Sequence, residues 1–117
     1  MNSLSVAVED APTGPVVQVM GDLDYDSADV FRAAVGGLAV PPGALLVIDL
    51  AGLTFCDSSG ITAFLAAWNH ARASGGDAAL AAVPPSTARI LHIVGVDRIL
   101  QVYPDATVAA QAASRGA

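Results

Sequence analysis

Apolar and polar positions alternate at the start of the chain: Leu4, Val6 and Val8 are separated by Ser5, Ala7 and Glu9. A period of two predicts a half-buried β-strand. Pro12-Thr-Gly14-Pro15 reads as a turn. Val16, Val17, Val19 and Met20 read as a second strand, and the short connection favours an antiparallel hairpin. The hairpin exits through Gly21-Asp-Leu-Asp24. The period then changes. Ala28, Phe31, Val35 and Leu38 recur at helical spacing, with Asp26 or Ser27 as the expected cap and Pro41-Pro42-Gly43 as the stop. Ala44 to Ile48 is an unbroken apolar run of β type, the signature of a strand covered on both faces. Asp49 and Leu50 close it.

Helical spacing returns with Ile61, Phe64, Leu65, Trp68 and Ala71, and Gly75-Gly76 stops that helix. Ala78 to Val83 is a further strand, closed by Pro84-Pro85. Ser86 is the expected cap of a helix carrying Ile90, Leu91, Ile93 and Val94, with Gly95 as its stop. Arg98 to Val102 is a short last strand, and Ala106 to Ala113 a terminal helix. The order β-β-α-β-α-β-α-β-α predicts an α/β fold. Its mixed sheet has four to five strands, an N-terminal hairpin, and helices alternating with parallel strands. In such sheets sites gather where strands end and helices begin. That rule points to the loops Asp22–Asp26 and Phe55–Gly60.

The 117 residues suit one domain spanning 1–117, with 114–117 expected to fray. At 54% hydrophobic and 14% charged, the chain has ample core material, whereas disorder needs the opposite balance. A net charge of −6 with only five Lys and Arg leaves no basic patch for a nucleic acid. The lone Cys56 excludes an internal disulfide and suits a reducing compartment. Neither a signal peptide nor a membrane span is visible. The default expectation is a cytoplasmic protein.

Asp57-Ser58-Ser59-Gly60 stands between an apolar strand and an amphipathic helix. Spacing alone supports an ordinary N-cap, with Asp57 or a serine accepting a backbone N–H and Gly60 permitting close packing. The same place suits a phosphoserine, because a helix start offers N–H donors and the positive end of the dipole. Phosphate on Ser58 adds about −1.5 to −2 charges at pH 7 and a bulky acceptor. The segment has neither the Lys nor the glycine spacing of a P-loop. It is not G-x-S-x-G, since Cys56 stands where the first glycine belongs.

Three stretches together resemble the bacterial anti-sigma factor antagonists of the STAS family. Gly21-Asp-Leu-Asp24 with Ala28 is similar to the family's G-x-L-D segment. Val47-Ile-Asp-Leu50 through Phe55-Cys-Asp-Ser-Ser-Gly60 resembles its strand-loop-helix phosphorylation site. Val83 to Gly95, with Val96 and Ile99, is similar to its penultimate helix and glycine stop. The resemblance implies a STAS-like fold and a non-enzymatic switch. It implies phosphorylation of Ser58 by a cognate anti-sigma factor that is also a serine kinase, and reversal by a metal-dependent serine phosphatase. The unphosphorylated form then binds the anti-sigma factor and frees the sigma factor. ATP and Mg belong to the kinase, so no cofactor of this chain's own is expected. Asp22, Asp24, Tyr25, Asp57, Ser59 and Gly60 map to the contact loops. Neither a nucleic acid nor a membrane is an expected partner, and a monomer or weak dimer is the expected state.

Cys56 departs from the apolar residue common at its position. It reads as a small buried side chain, and the sharper expectation is redox modulation, in which its oxidation blocks binding beside Ser58. Two other functions are to be weighed. One is a STAS accessory module of a lipid or anion transporter, or of a stressosome-like scaffold. The other is an enzyme with Ser58 or Cys56 as nucleophile and a distant His92 as base. His70 and His92 have no second ligand at metal spacing. Asp22, Asp24, Asp26 and Asp29 follow no EF-hand spacing. Trp68 fits the apolar face of its helix, and Tyr25 is the aromatic expected to be exposed.

Overall fold

In the computed structural model, residues 2–115 are described. Strand β1 (Ser5–Ala11) pairs antiparallel with β2 (Gly14–Leu23), with Val6 opposite Val19 and Val8 opposite Val17. Strands β3 (Leu45–Cys56), β4 (Asp77–Ala81) and β5 (Gln101–Tyr103) follow in parallel, giving one five-stranded sheet in the order β1-β2-β3-β4-β5. Helices α1 (Ala28–Gly36), α2 (Ser58–Ala73) and α3 (Pro85–Val94) are the crossovers, and α4 (Ala106–Arg115) ends the chain. Every crossover steps the same way along the sheet. With the right-handed rule for such units, α1, α2 and α3 therefore lie on one face.

The core confirms this layering. Leu46, Ile48 and Leu50 of β3 join Phe31 and Val35 of α1, Phe64 and Ala67 of α2, and Leu91 of α3 in one buried cluster. Phe31 and Phe64 meet edge to face, with ring centroids 5.9 Å apart at 89°, the arrangement that ring quadrupoles favour. On the opposite face, Val16, Val47 and Ala81 pack against Ala109 of α4. Trp68 is half-buried against the main core, and the Arg72 guanidinium lies 5.5 Å above its ring.

The elements depart from the sequence reading in definite places. β2 does not end at Met20; it runs through Gly21 to Leu23. Gly21 sits at φ +92°, and a Cβ there would lie 2.2 Å from the Ser3 carbonyl oxygen, so only glycine lets the N-terminal segment pass. β3 does not end at Leu50 but continues to Cys56, so Phe55 is a strand residue. The reason is a pair of irregularities. Gln18 and Met20 pair with Asp49 and Gly52, and Gly21 and Asp22 with Leu53 and Phe55. Each step gives β3 one extra residue, as in a β-bulge. Its core-facing residues then fall at 46, 48, 50, 53 and 56, and the period of two dissolves.

The caps also differ. Neither Asp26 nor Ser27 caps α1 by its side chain; Asp24 does the local work, as described below. Ser86 does not cap α3, which starts at Pro85 with no side-chain cap; proline's fixed φ suits that first position. α1 ends at Gly36, before the prolines. Gly95 ends α3 in the left-handed region, φ +83°, as expected of that residue. A 3₁₀ turn, Val96–Arg98, precedes the short last strand. α4 runs through Ser114 to Arg115, and the rest of the tail expected to fray, 116–117, lies outside the described residues.

Candidate functional site

The parallel strands β2 and β3 end side by side, with Leu23 opposite Cys56. The chain leaves each into a helix, so the loop before α1 and the start of α2 meet at one end of the sheet. Asp57 joins them. Its backbone N–H donates to the Leu23 carbonyl at 3.2 Å. Its Oδ1 accepts from the N–H groups of Ser59 at 2.8 Å and Gly60 at 3.3 Å. Its Oδ2 accepts the N–H of Tyr25 at 3.2 Å. One carboxylate thus caps α2 and ties the neighbouring loop to it.

Ser58 is the first residue of α2 and is exposed. Among the described residues its hydroxyl takes part in no hydrogen bond. The backbone beneath it is fixed, and the Ser58 carbonyl accepts from Thr62 Oγ1 at 2.9 Å. Of the first-turn N–H groups expected to receive a phosphate, those of Ser59 and Gly60 belong to Asp57 in this structure. Ser59 is half-buried. With Tyr25, Asp26, Asp29, Arg32 and Thr62 it lines an open groove of about 500 Å³ between α1 and α2.

Gly60 and Cys56 lock the helix start onto the strand ends. A Cβ on Gly60 would lie 2.5 Å from Cys56 Sγ and 3.0 Å from Leu23 Cγ, so α2 approaches the sheet as closely as a glycine allows. Cys56 is 8% exposed. Burial, then the neighbouring Asp57 carboxylate, push its thiol from 9.0 up to about 12. It stays protonated at neutral pH. The redox and nucleophile expectations for Cys56 both require a thiolate, and the environment opposes one.

The contact-loop acids divide. Asp24 shapes its own loop, its Oδ1 accepting from the N–H groups of Asp26 and Ser27, each at 3.1 Å, and from Ser27 Oγ at 3.0 Å. Tyr25, carried on that loop, is 80% exposed. Asp22 is not turned to Ser58's loop; it is the anchor of the N-terminal segment. Its Oδ1 accepts from Thr54 Oγ1 at 2.7 Å and its Oδ2 from the Asn2 N–H at 3.1 Å. These two bonds, the Thr54 hydroxyl first, hold its carboxyl below the usual value. Sequence reasoning missed Arg32 and Thr62, whose only signal was helical spacing from the loops. It also missed Thr54, hidden by the broken period of β3.

The histidines are engaged away from Ser58. His70 Nε2 lies 2.7 Å from the Leu38 carbonyl, and His92 Nδ1 lies 2.8 Å from Asp97 Oδ2. Among the described residues, no group of three His, Cys, Asp or Glu could hold a metal, and no helix is long and apolar enough to cross a membrane.

Residues 6–102 match the family model described as Mlab, STAS domain. The chain belongs to the STAS-domain family. Among curated relatives, it is 28% identical over 89 residues to an anti-sigma F factor antagonist of Paenibacillus polymyxa, covering 75% of this chain and 76% of that protein. Its structure resembles that of an anti-sigma factor antagonist from Mycobacterium paratuberculosis with a TM-score of 0.85, at 31% identity over 96% of this chain and 95% of that one. The STAS fold is shared with the anti-sigma factor antagonist SpoIIAA in its unphosphorylated form, at TM-score 0.70 and 18% identity over 97% of this chain and 100% of that one. It is shared too with the phosphorylated Bacillus SpoIIAA, at TM-score 0.67 and 17% identity over 92% and 99%.

Proposed function

We propose that the protein is an anti-sigma factor antagonist whose binding is switched off by phosphate on Ser58. The unphosphorylated form binds a cognate anti-sigma factor that is also a serine kinase, which releases the sigma factor. The kinase brings ATP and Mg, and a serine phosphatase restores the free hydroxyl. The observation that carries this reading is the unbonded, exposed hydroxyl of Ser58 on a backbone fixed by Asp57. A kinase needs a serine it can reach, and a switch needs a scaffold that survives the modification.

The geometry also supports how the switch works. Asp57 occupies the N–H groups of Ser59 and Gly60, so a phosphate on Ser58 finds two fewer local donors and projects much of its charge outward. It joins Asp57, Asp24 and Asp26 on one acidic surface. A partner pressed there meets like-charge repulsion, desolvation cost and bulk together. The fold itself is not asked to move.

The test is incubation with the anti-sigma kinase and ATP, site mapping by mass spectrometry, and binding measured before and after. One phosphate on Ser58 and loss of binding are expected; a Ser58→Ala variant takes no phosphate and keeps binding. Phosphate elsewhere, or full binding by the phosphorylated protein, refutes the proposal. Capture of a transporter ATPase in place of an anti-sigma factor would point to the accessory-module reading.

A further inference from the structure

The chain has one Trp, two Tyr and three Phe, and their placement is uneven. Phe31 and Phe64 are fully buried, and Trp68 and Tyr103 are half-buried. The two exposed rings are Tyr25, at 80%, and Phe55, at 52%. Both stand at the Ser58 end of the sheet. Phe55 lies three residues before Ser58, in the strand that leads to it. The Tyr25 N–H is held by Asp57 Oδ2 at 3.2 Å. A Phe ring ordinarily goes to the core, and this chain buries its other two. Phe55 also stands outside the residues that the family resemblance maps to the contact loops.

Resting on the Ser58 reading, we propose that Tyr25 and Phe55 are the affinity anchors of the partner contact. The anti-sigma factor offers an apolar recess to each ring, with basic residues around them. Both rings are set on fixed backbone. Phe55 is paired opposite Asp22, beside the Thr54 hydroxyl that Asp22 holds at 2.7 Å. Tyr25 rides the loop that Asp24 closes, with the N–H groups of Asp26 and Ser27 each 3.1 Å from Asp24 Oδ1. Such a ring has few torsions of its own, so on a fixed backbone it loses little freedom when a partner covers it. Protein interfaces draw most of their energy from a few residues of this kind. The neighbouring charges choose the occupant. Asp24 and Asp57 hold the two loops, and Asp26 and Asp29 line the groove beside Tyr25 with Arg32. This acidic setting repels an anionic lipid surface and attracts a protein with a basic rim.

Acids and rings then do different work. The acids speed encounter with a basic face, and the covered rings slow departure from it. Phosphate on Ser58 comes close in sequence to Phe55 and next to the Asp57 that holds Tyr25. It brings charge and bound water to the place where the rings must be dried to count.

Surface plasmon resonance of the full, unphosphorylated chain on the purified anti-sigma kinase of the Ser58 test decides this. Tyr25→Ala and Phe55→Ala are each expected to raise the dissociation constant roughly tenfold or more. The change falls on the dissociation rate, with the association rate within about threefold. Tyr25→Phe keeps the ring and binds within about threefold of the wild type. Far-UV circular dichroism is retained in all three, since both side chains reach solvent. Ile93→Ala, at a site 74% exposed on α3, leaves binding within about twofold. Alanine variants that bind like the wild type, or an Ile93→Ala as damaging as Phe55→Ala, overturn the anchors; the Ser58 switch still stands if phosphate abolishes binding. Anchors that matter while phosphate on Ser58 leaves binding intact overturn the switch and not the anchors. A wild-type chain that does not bind the kinase overturns both.

Discussion

The start of α2 and the outer row of α3 lie on the same helical layer and are built on opposite terms. At α2 the surface is polar, acidic and tightly bonded: Asp57 alone makes three side-chain hydrogen bonds that hold two loops together. At α3 the helix starts with no side-chain cap, and the exposed side chains are aliphatic with a cationic rim. A surface that gains charge on modification needs a rigid backbone under one free hydroxyl. The sequence marks both stretches as helix, and only what lies under each helix separates the two surfaces.

The strongest way to break this contrast is at Ser58. Phosphorylation there is expected to weaken partner binding at least 100-fold, about 2.7 kcal/mol, measurable by calorimetry, while the melting temperature stays within a few degrees. A large drop in melting temperature on phosphorylation would mean that the scaffold under Ser58 is not rigid.

Gly60 tests how tight the α2 start is. Gly60→Ala sets a methyl where Cys56 Sγ and Leu23 already stand, and is expected to cost about 1–3 kcal/mol by overpacking. Adding Cys56→Ala should recover part of that loss, because the nearest clash is removed. A double-mutant cycle in urea reads the coupling, and strict additivity would mean that the contact is relieved elsewhere.

Asp57→Ala removes the cap and the Tyr25 tie. The expected cost is about 1–2 kcal/mol in stability. Asp57→Asn keeps an acceptor and should lose less. Faster amide exchange at Tyr25, Ser59 and Gly60 in Asp57→Ala identifies the tie as the cause; exchange that is faster at α3 as well would mean a general loosening.

The smallest effects lie at the pH extremes. Cys56 is held near 12 in the fold against 9.0 as its ordinary value. Its contribution is whole below pH 9 and is lost as pH rises towards the folded value. Cys56→Ala should flatten that alkaline decline in chemical-denaturation curves. Asp22 is shifted the other way, below 3.8, by Thr54 and Asn2. Its contribution is present above that value and fades as pH falls through the lowered one, so Asp22→Asn should flatten the acid limb slightly.

Much of this was legible in the residue pattern. The order of elements, the N-terminal hairpin, the buried character of Leu46 to Ile48 and the Gly95 stop follow from period, propensity and turn chemistry, which act over a few residues. So does the place of Ser58 at a strand-to-helix junction. The long course of β3 was not legible, because two extra residues shift its side chains out of the period that reveals a strand. The division of the acids was not legible either. Asp22, Asp24 and Asp57 look alike in one dimension, and their partners Asn2, Ser27 and Tyr25 lie 20, 3 and 32 residues away.

By itself, then, the sequence determined which segments are strands and helices, that they build an α/β fold with an N-terminal hairpin, and that a serine sits at the head of α2. Those are local matters of spacing and of one apolar face per element. Only the tertiary structure decided that Asp57 holds the N–H groups of Ser59 and Gly60, that the Ser58 hydroxyl is left free, and that Ile93 and Val94 face outward. Each of these depends on which residues from distant parts of the chain arrive at the same place, and hydrogen-bond partners and burial are assigned there.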